Sequence, residues 1–153
     1  PRGGRVRTTN ARSLLDGPAI NSGTLAILGG GDTIEANSSI QNDGVIQLNP
    51  DVTVFNSTLL LSGTPSITGA GQIEMTLASS DTNDARIEAA AGVTAAIGAG
   101  QTITGAGRFV GDFLSDARIE ATSDLYPLEL RGSITQASGV IAADHAVFAL
   151  VNG

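Results

Sequence analysis

Cysteine, lysine and tryptophan are all missing from this chain of 153 residues, and rings are scarce, with four Phe and one Tyr. Without cysteine there are no disulfides, no thiolate zinc sites and no thiol nucleophile. A core in which elements of different orientation meet usually recruits aromatic side chains to fill space. A narrow stack of Ile, Leu, Val and Ala has no such need. No apolar run approaches the roughly 20 residues of a membrane-spanning helix, and no signal-peptide pattern is present. His145 is the sole histidine, so no imidazole pair is on offer for a metal, and Asp144-His145 reads as a turn or rim. The apolar content of 41% is still that of a folded domain. One domain with a real core fits this length.

Repetition takes the place of variety. An isoleucine followed by glycine and then by an alternating apolar strand recurs in five copies. They are Ile20 to Ile27, Ile40 to Leu48, Ile67 to Met75, Ile103 to Phe109 and Ile134 to Ala143. Aligned on the glycine, the second following residue is Leu25, Ile46, Ile73, Phe109 or Ile141, and the fourth is Ile27, Leu48, Met75, Gly111 or Ala143. Two mainly apolar columns at a period of two describe strands with one buried face. A second strand family includes Thr33 to Ala36 and the identical hexapeptides Asp84 to Ala89 and Asp116 to Ala121. A looser third includes Leu59 to Leu61 and Leu128 to Leu130. Short strands divided by Gly, Asn, Asp and Ser, with such repetition, predict an all-β fold. The expectation is a single-stranded parallel β-helix, a β-solenoid of about seven to eight rungs. The glycines are expected at corners that need positive φ, with the opening isoleucines plugging the core beside them. Asn21, Asn37 and Asn42 are the other residues suited to left-handed corners. Loops of variable length near 49–66 and 76–84 should bulge from one side and carry any recognition.

The formal net charge of −7 hides an asymmetry. Arg2, Arg5, Arg7 and Arg12 precede the first acidic residue, while the remainder sets four Arg against all fifteen carboxylates. Residues 1–19 therefore read as an extended basic N-terminal arm and cap, and 20–153 as the solenoid body. The four arginines are the candidate partner-binding residues, as a tether to an acidic protein or a neighbouring subunit. Nucleic acid is disfavoured, because the acidic body repels it and no aromatics interleave with the basic residues. The apolar finish at Ala146 to Val151 suggests burial in a homo-oligomer, with a trimer as one form, or continuation into further chain. Taken as a native end, Pro1 points to synthesis in a cytoplasm without conventional export.

Catalytic and cofactor patterns are weak. Gly29-Gly30-Gly31-Asp32-Thr33-Ile34 resembles one unit of a calcium-binding β-roll repeat but lacks the neighbouring unit that would complete an oxygen cage. Asp81 with Asp84, or Asp112 with Asp116, are the carboxylate pairs a polysaccharide-cleaving β-helix would need, with Arg86, Arg108 and Arg118 as basic partners. Aromatic platforms for sugar are nearly absent; Tyr126 is the only tyrosine. Ile103 to Arg108 looks like a glycine-rich phosphate loop without its helix or lysine. Turn chemistry accounts for each of these, so no catalytic residue, cofactor or metal site is assigned.

The stretch from Ile20 to Leu48, with Gly-Thr-Leu, Thr-Ile-Glu-Ala-Asn and Asn-Asp-Gly-Val-Ile-Gln-Leu, resembles the repeat text of parallel β-helix surface proteins. So do both copies of Ile-Thr-Gly-Ala-Gly. Such text occurs in autotransporter and filamentous-haemagglutinin-type adhesins and in phage tail and capsid-surface proteins. The resemblance covers most of residues 20–145 and implies the fold rather than a function, because such repeats are selected for stacking; the expected role is non-enzymatic and structural. A phage virion surface component (capsid decoration, cement or fibre) is the leading expectation. The alternative is a fragment of an exported adhesin on a bacterial or extracellular surface, binding glycans. A polysaccharide lyase or hydrolase comes third.

Overall fold

The computed structural model describes residues 4–8, 12–53, 55–144 and 146–151. Within them the chain winds through three strands per coil. The first coil is β1 (Arg5–Arg7), β2 (Arg12–Leu15) and β3 (Ala19–Asn21); the second is β4 (Thr24–Ile27), β5 (Asp32–Ala36) and β6 (Ile40–Asn42). The third is β7 (Val45–Leu48), β8 (Ser57–Leu61) and β9 (Ser66–Thr68), and the fourth is β10 (Gln72–Met75), β11 (Ala85–Ala89) and β12 (Thr94–Ile97). The fifth is β13 (Thr102–Gly105), β14 (Gly107–Val110) and β15 (Asp112–Ser115). The sixth is β16 (Arg118–Ala121), β17 (Leu128–Arg131) and β18 (Ile134–Gln136), and the seventh holds β19 (Val140–Ala143) and β20 (Phe148–Val151). Each strand pairs in parallel with its counterpart one coil away. Sheet one is β1-β4-β7-β10-β13-β16-β19, sheet two is β2-β5-β8-β11-β14-β17-β20 and sheet three is β3-β6-β9-β12-β15-β18. This is the expected parallel β-helix, with seven coils. Thr82–Asp84 forms a 3₁₀ turn.

The core is a set of aliphatic ladders. In sheet one, Val6, Leu25, Ile46, Ile73, Ile103, Ile119 and Ile141 lie over one another. In sheet two the inward ladder is Ile34, Leu59, Ile87, Phe109, Leu130 and Leu150. Each rung thus buries its apolar side chains on those of its neighbours, and their removal from water drives the stacking. The third ladder changes character along the rod: Ala19, Ile40, Ile67 and Ile97 give way to Ser115 and Gln136.

Register departs from the sequence expectation at several places. Phe109 lies in sheet two, paired with Ile87 and Leu130, and Ile103 takes the place expected for it in sheet one. Gly105, not Gly111, follows Met75 in the next column. The two identical pentapeptides therefore turn different corners: Ile67 to Gly71 leads from sheet three to sheet one, and Ile103 to Gly107 from sheet one to sheet two. The twin hexapeptides are likewise split, with Arg86-Ile87-Glu88-Ala89 in sheet two and Arg118-Ile119-Glu120-Ala121 in sheet one. Ile20 plugs nothing: Ala19 is the residue paired with Ile40, so Ile20 alternates outward and is 75% exposed.

Of the glycines expected at corners of positive φ, Gly107 has φ 151, but others work differently. Gly44 and Gly71 do not have positive φ; a Cβ on Gly44 would lie 2.1 Å from the Gly23 carbonyl oxygen, and one on Gly71 2.5 Å from that of Gly44. They are needed because successive corners stack backbone on backbone. Among the described residues the non-glycine positions at positive φ are Asn49 and Val52, not Asn21, Asn37 or Asn42. Asn21 and Asn42 instead form an amide ladder inside the corner between sheets three and one. Asn21 Nδ2 donates to Asn42 Oδ1 at 2.7 Å, and Asn42 Nδ2 donates to Gln101 Oε1 at 2.9 Å. Gln101 Nε2 donates onward to the carbonyls of Asn42 and Thr68. Asn42 and Gln101 are buried, and this mutual bonding offsets the desolvation of their amides.

The segment expected as an extended arm is built into the first coil. Arg5 to Arg7 pair with Thr24 to Ala26, and Arg12 to Leu15 with Thr33 to Ala36. Arg2 and His145 lie outside the described residues.

Candidate interaction surface

Most polar side chains singled out by the sequence hold loops or neighbouring coils. Asp32 is buried and accepts a hydrogen bond from the Thr8 hydroxyl, whose oxygen in turn accepts from the Leu28 amide. That bond ties the Gly29–Ile34 turn to the first coil. Asp81 caps the 3₁₀ turn: its Oδ1 accepts from the backbone and side-chain nitrogens of Asn83 at 2.9 and 2.8 Å. The Asn83 backbone donor holds this carboxyl below its usual range, the reverse of what a proton-donating acid needs. Asp84 is buried, with Oδ2 accepting from Ser79 Oγ at 2.9 Å. Asp116 Oδ1 accepts from both the amide and the hydroxyl of Ser138 at 3.0 Å, while Asp112 lies exposed on sheet three. At the phosphate-loop-like turn, the Ala106 and Gly107 amides donate to the carbonyls of Met75 and Pro127, each at 3.1 Å. Those donors are spent within the fold. Among the described residues no three His, Cys, Asp or Glu side chains gather where they could hold a metal ion, and no helix is long and apolar enough to cross a membrane.

Two of the four tether candidates are engaged too. Arg7 Nη2 lies 2.7 Å from Asp51 Oδ2, fastening the first coil to the 49–56 loop, and Arg12 lies 2.5 Å from Glu35. Arg5 is exposed at the outer face of β1.

Sheet two carries an ion-pair ladder on its outer surface. Glu129 Oε2 accepts from Arg108 Nε at 3.0 Å, Arg131 Nε at 2.8 Å and Thr82 Oγ1 at 2.9 Å. Arg108 also reaches Asn83 Oδ1 and Thr82 Oγ1, so the 76–84 loop is strapped to the wall. Burial pushes the Glu129 carboxyl up, but hydrogen bonds from Arg131, Thr82 and Arg108 outweigh it and hold the group below the ordinary value of 4.5. A carboxyl depressed in the folded state stabilises fully above its unfolded pKa, and that stabilisation is lost as pH falls through the folded value. Stability of the wild type should therefore decline below about pH 4.5. Glu129→Gln should cost about 1–3 kcal/mol at pH 7 and flatten the acid limb, which urea melts between pH 3 and 7 would measure. An acid limb of unchanged slope in Glu129→Gln would refute this assignment.

Loop length varies strongly at one corner. Connections from sheet one to sheet two run over 28–31, 49–56, 76–84, 106, 122–127 and 144–147, whereas those at the other two corners are all short. The expected one-sided bulge is thus a single edge of the rod, and it contains a notch. The fifth coil turns this corner through Ala106 alone, between the long loops of the fourth and sixth coils. An open cavity of about 330 Å³ results, with Met75, Gly105 and Ala106 as floor, Thr76 and Leu77 on one wall, and Thr122, Ser123, Leu125 and Tyr126 on the other. Phe55 and Leu125, both strongly exposed on this edge, were not singled out from the sequence. Their signal there is apolar residues inside loop text, Val52-Thr-Val54-Phe55 between Asp51 and Asn56 and Leu125-Tyr126 after Asp124.

Among the described residues the core is open at both ends of the rod. Val6, Leu15 and Leu25 line a shallow apolar cavity at the first coil, and Ile134, Ile141 and Leu150 line another at the last. No family model, curated protein or solved structure matches this chain.

Proposed function

We propose that this chain is a non-enzymatic structural module, a rigid β-solenoid that assembles on a larger particle, with a phage virion surface as the body that fits best. The observation that carries the reading is the stack itself, three parallel sheets running through seven coils with polar side chains spent on ion pairs between coils; the end coils within the described residues are also open. Val6 is 61% exposed and Leu150 79% exposed, although both belong to inward ladders that are buried from the second to the sixth coil. Terminal coils also present unpaired strand edges, which template further pairing. Between these ends the walls are occupied by ion pairs and side-chain caps, an arrangement suited to stiffness rather than turnover. Arg5 stands beside the open first coil, where it can meet an acidic partner. The virion assignment draws on the likeness of the repeat text to phage surface proteins.

In the organism that encodes it, a tagged chain should co-sediment with phage particles through a density gradient. Arg5→Glu should lower that incorporation several-fold while leaving the far-UV spectrum unchanged. Recovery in the outer-membrane fraction instead would favour the adhesin reading, and a purely soluble chain would sink both.

A further inference from the structure

We infer that two copies of this chain dock edge to edge about a two-fold axis, Phe55 of each entering the notch over Ala106 of the other. This rests on the structural reading above and adds the partner and the contact. Among the described residues away from the two end coils, the exposed large apolar side chains are Val52, Phe55, Leu114 and Leu125, and all but Leu114 sit on the variable-loop corner. The edge carries both a knob and a hole. Phe55, 62% exposed, projects from the third coil; the notch, about 330 Å³ and walled by Leu77, Leu125 and Tyr126, has its floor on the fifth.

Knob and notch are two coils apart, about 10 Å along the rod at the usual strand spacing. A two-fold axis perpendicular to the rod at the fourth coil brings the third coil of each copy onto the fifth coil of the other. Both knobs and both holes are then matched at once, as an isologous contact requires. A rotation axis parallel to the rod, the trimer geometry, sets third coil against third coil and leaves the notches empty. The loop leading to the knob is braced as far as Thr53. Asn49 Oδ1 accepts from the Thr53 amide at 2.9 Å and its Nδ2 donates to the Thr53 carbonyl at 2.8 Å, while Val52 is held at φ 53. A β-branched residue in that region is strained, which is tolerated where the loop conformation has a use.

Sedimentation equilibrium of the full chain should show a dimer. Phe55→Asp and Leu125→Asp, each checked for a native far-UV spectrum, should each raise its Kd by about thirtyfold or more. The cysteine-free background permits a second test: a Phe55→Cys chain mixed with a Leu125→Cys chain should oxidise to a disulfide-linked heterodimer, and Phe55→Cys alone should not. A trimer, a monomer up to about 100 μM, or a dimer indifferent to both substitutions overturns the proposal. Association abolished by Leu150→Asp but not by Phe55→Asp would also overturn it, while leaving the rod-assembly function standing.

Discussion

Phe109→Ala should destabilise the protein by about 3–5 kcal/mol, the range for deleting a buried ring. Phe109 is fully buried in the sheet-two ladder between Ile87 and Leu130. Its ring meets that of Phe113 edge to face, with centroids 5.3 Å apart and planes at 79°. The two rings share a coil whose strands also contain Gly105 and Gly107, so large side chains occupy volume that glycine leaves. Neighbouring coils are held apart by their own ladders and cannot collapse into the gap. The expected fall in Tm is about 10 °C, at roughly 2–4 °C per kcal/mol for a chain of this size. Phe109→Leu, which keeps most of the volume, should cost less than half as much. Equal loss from both substitutions would show that ring volume is not what the site supplies.

Gly105→Ala is expected to be nearly as damaging for a backbone reason. Gly105 has φ 118, and an added Cβ would lie 1.9 Å from the Met75 carbonyl oxygen. That same carbonyl accepts the Ala106 amide at 3.1 Å. Relieving the overlap means separating the fourth and fifth coils at their tightest corner, with a cost of about 3 kcal/mol or more. Gly31→Ala and Gly44→Ala separate the two contributions. Gly31 has φ 87 but open space around it, so it reports conformational strain alone; Gly44 has no positive φ but meets the Gly23 carbonyl at 2.1 Å. Chemical denaturation should rank Gly105→Ala above both. A Gly31→Ala loss as large as that of Gly105→Ala would refute the close-approach account.

The fold was legible because a stacked coil is specified locally. Leu25, Ile46, Ile73 and Ile141 fall in one ladder as their alternation with polar neighbours indicated. The variable-loop side was legible for a related reason: residues that add nothing to a stack must leave it somewhere. The notch was not, since it depends on a one-residue turn at Ala106 lying between two long loops that are distant in sequence. Nor were the partners of the N-terminal arginines visible. Nothing near Arg7 or Arg12 in the chain announces Asp51 or Glu35.

Alternation and repetition were enough to establish the class of fold and the inward identity of most strands, and the lack of cysteine excluded thiol chemistry in this chain. Which sheet a given strand joins was settled in three dimensions. Asp-Ala-Arg-Ile-Glu-Ala serves equally well in sheet two and in sheet one, because every straight wall of a solenoid offers the same environment of aliphatic neighbours above and below. The face is chosen by how many residues the preceding corners consume, and that number follows from packing between coils, as when Ala19 rather than Ile20 settles over Ile40.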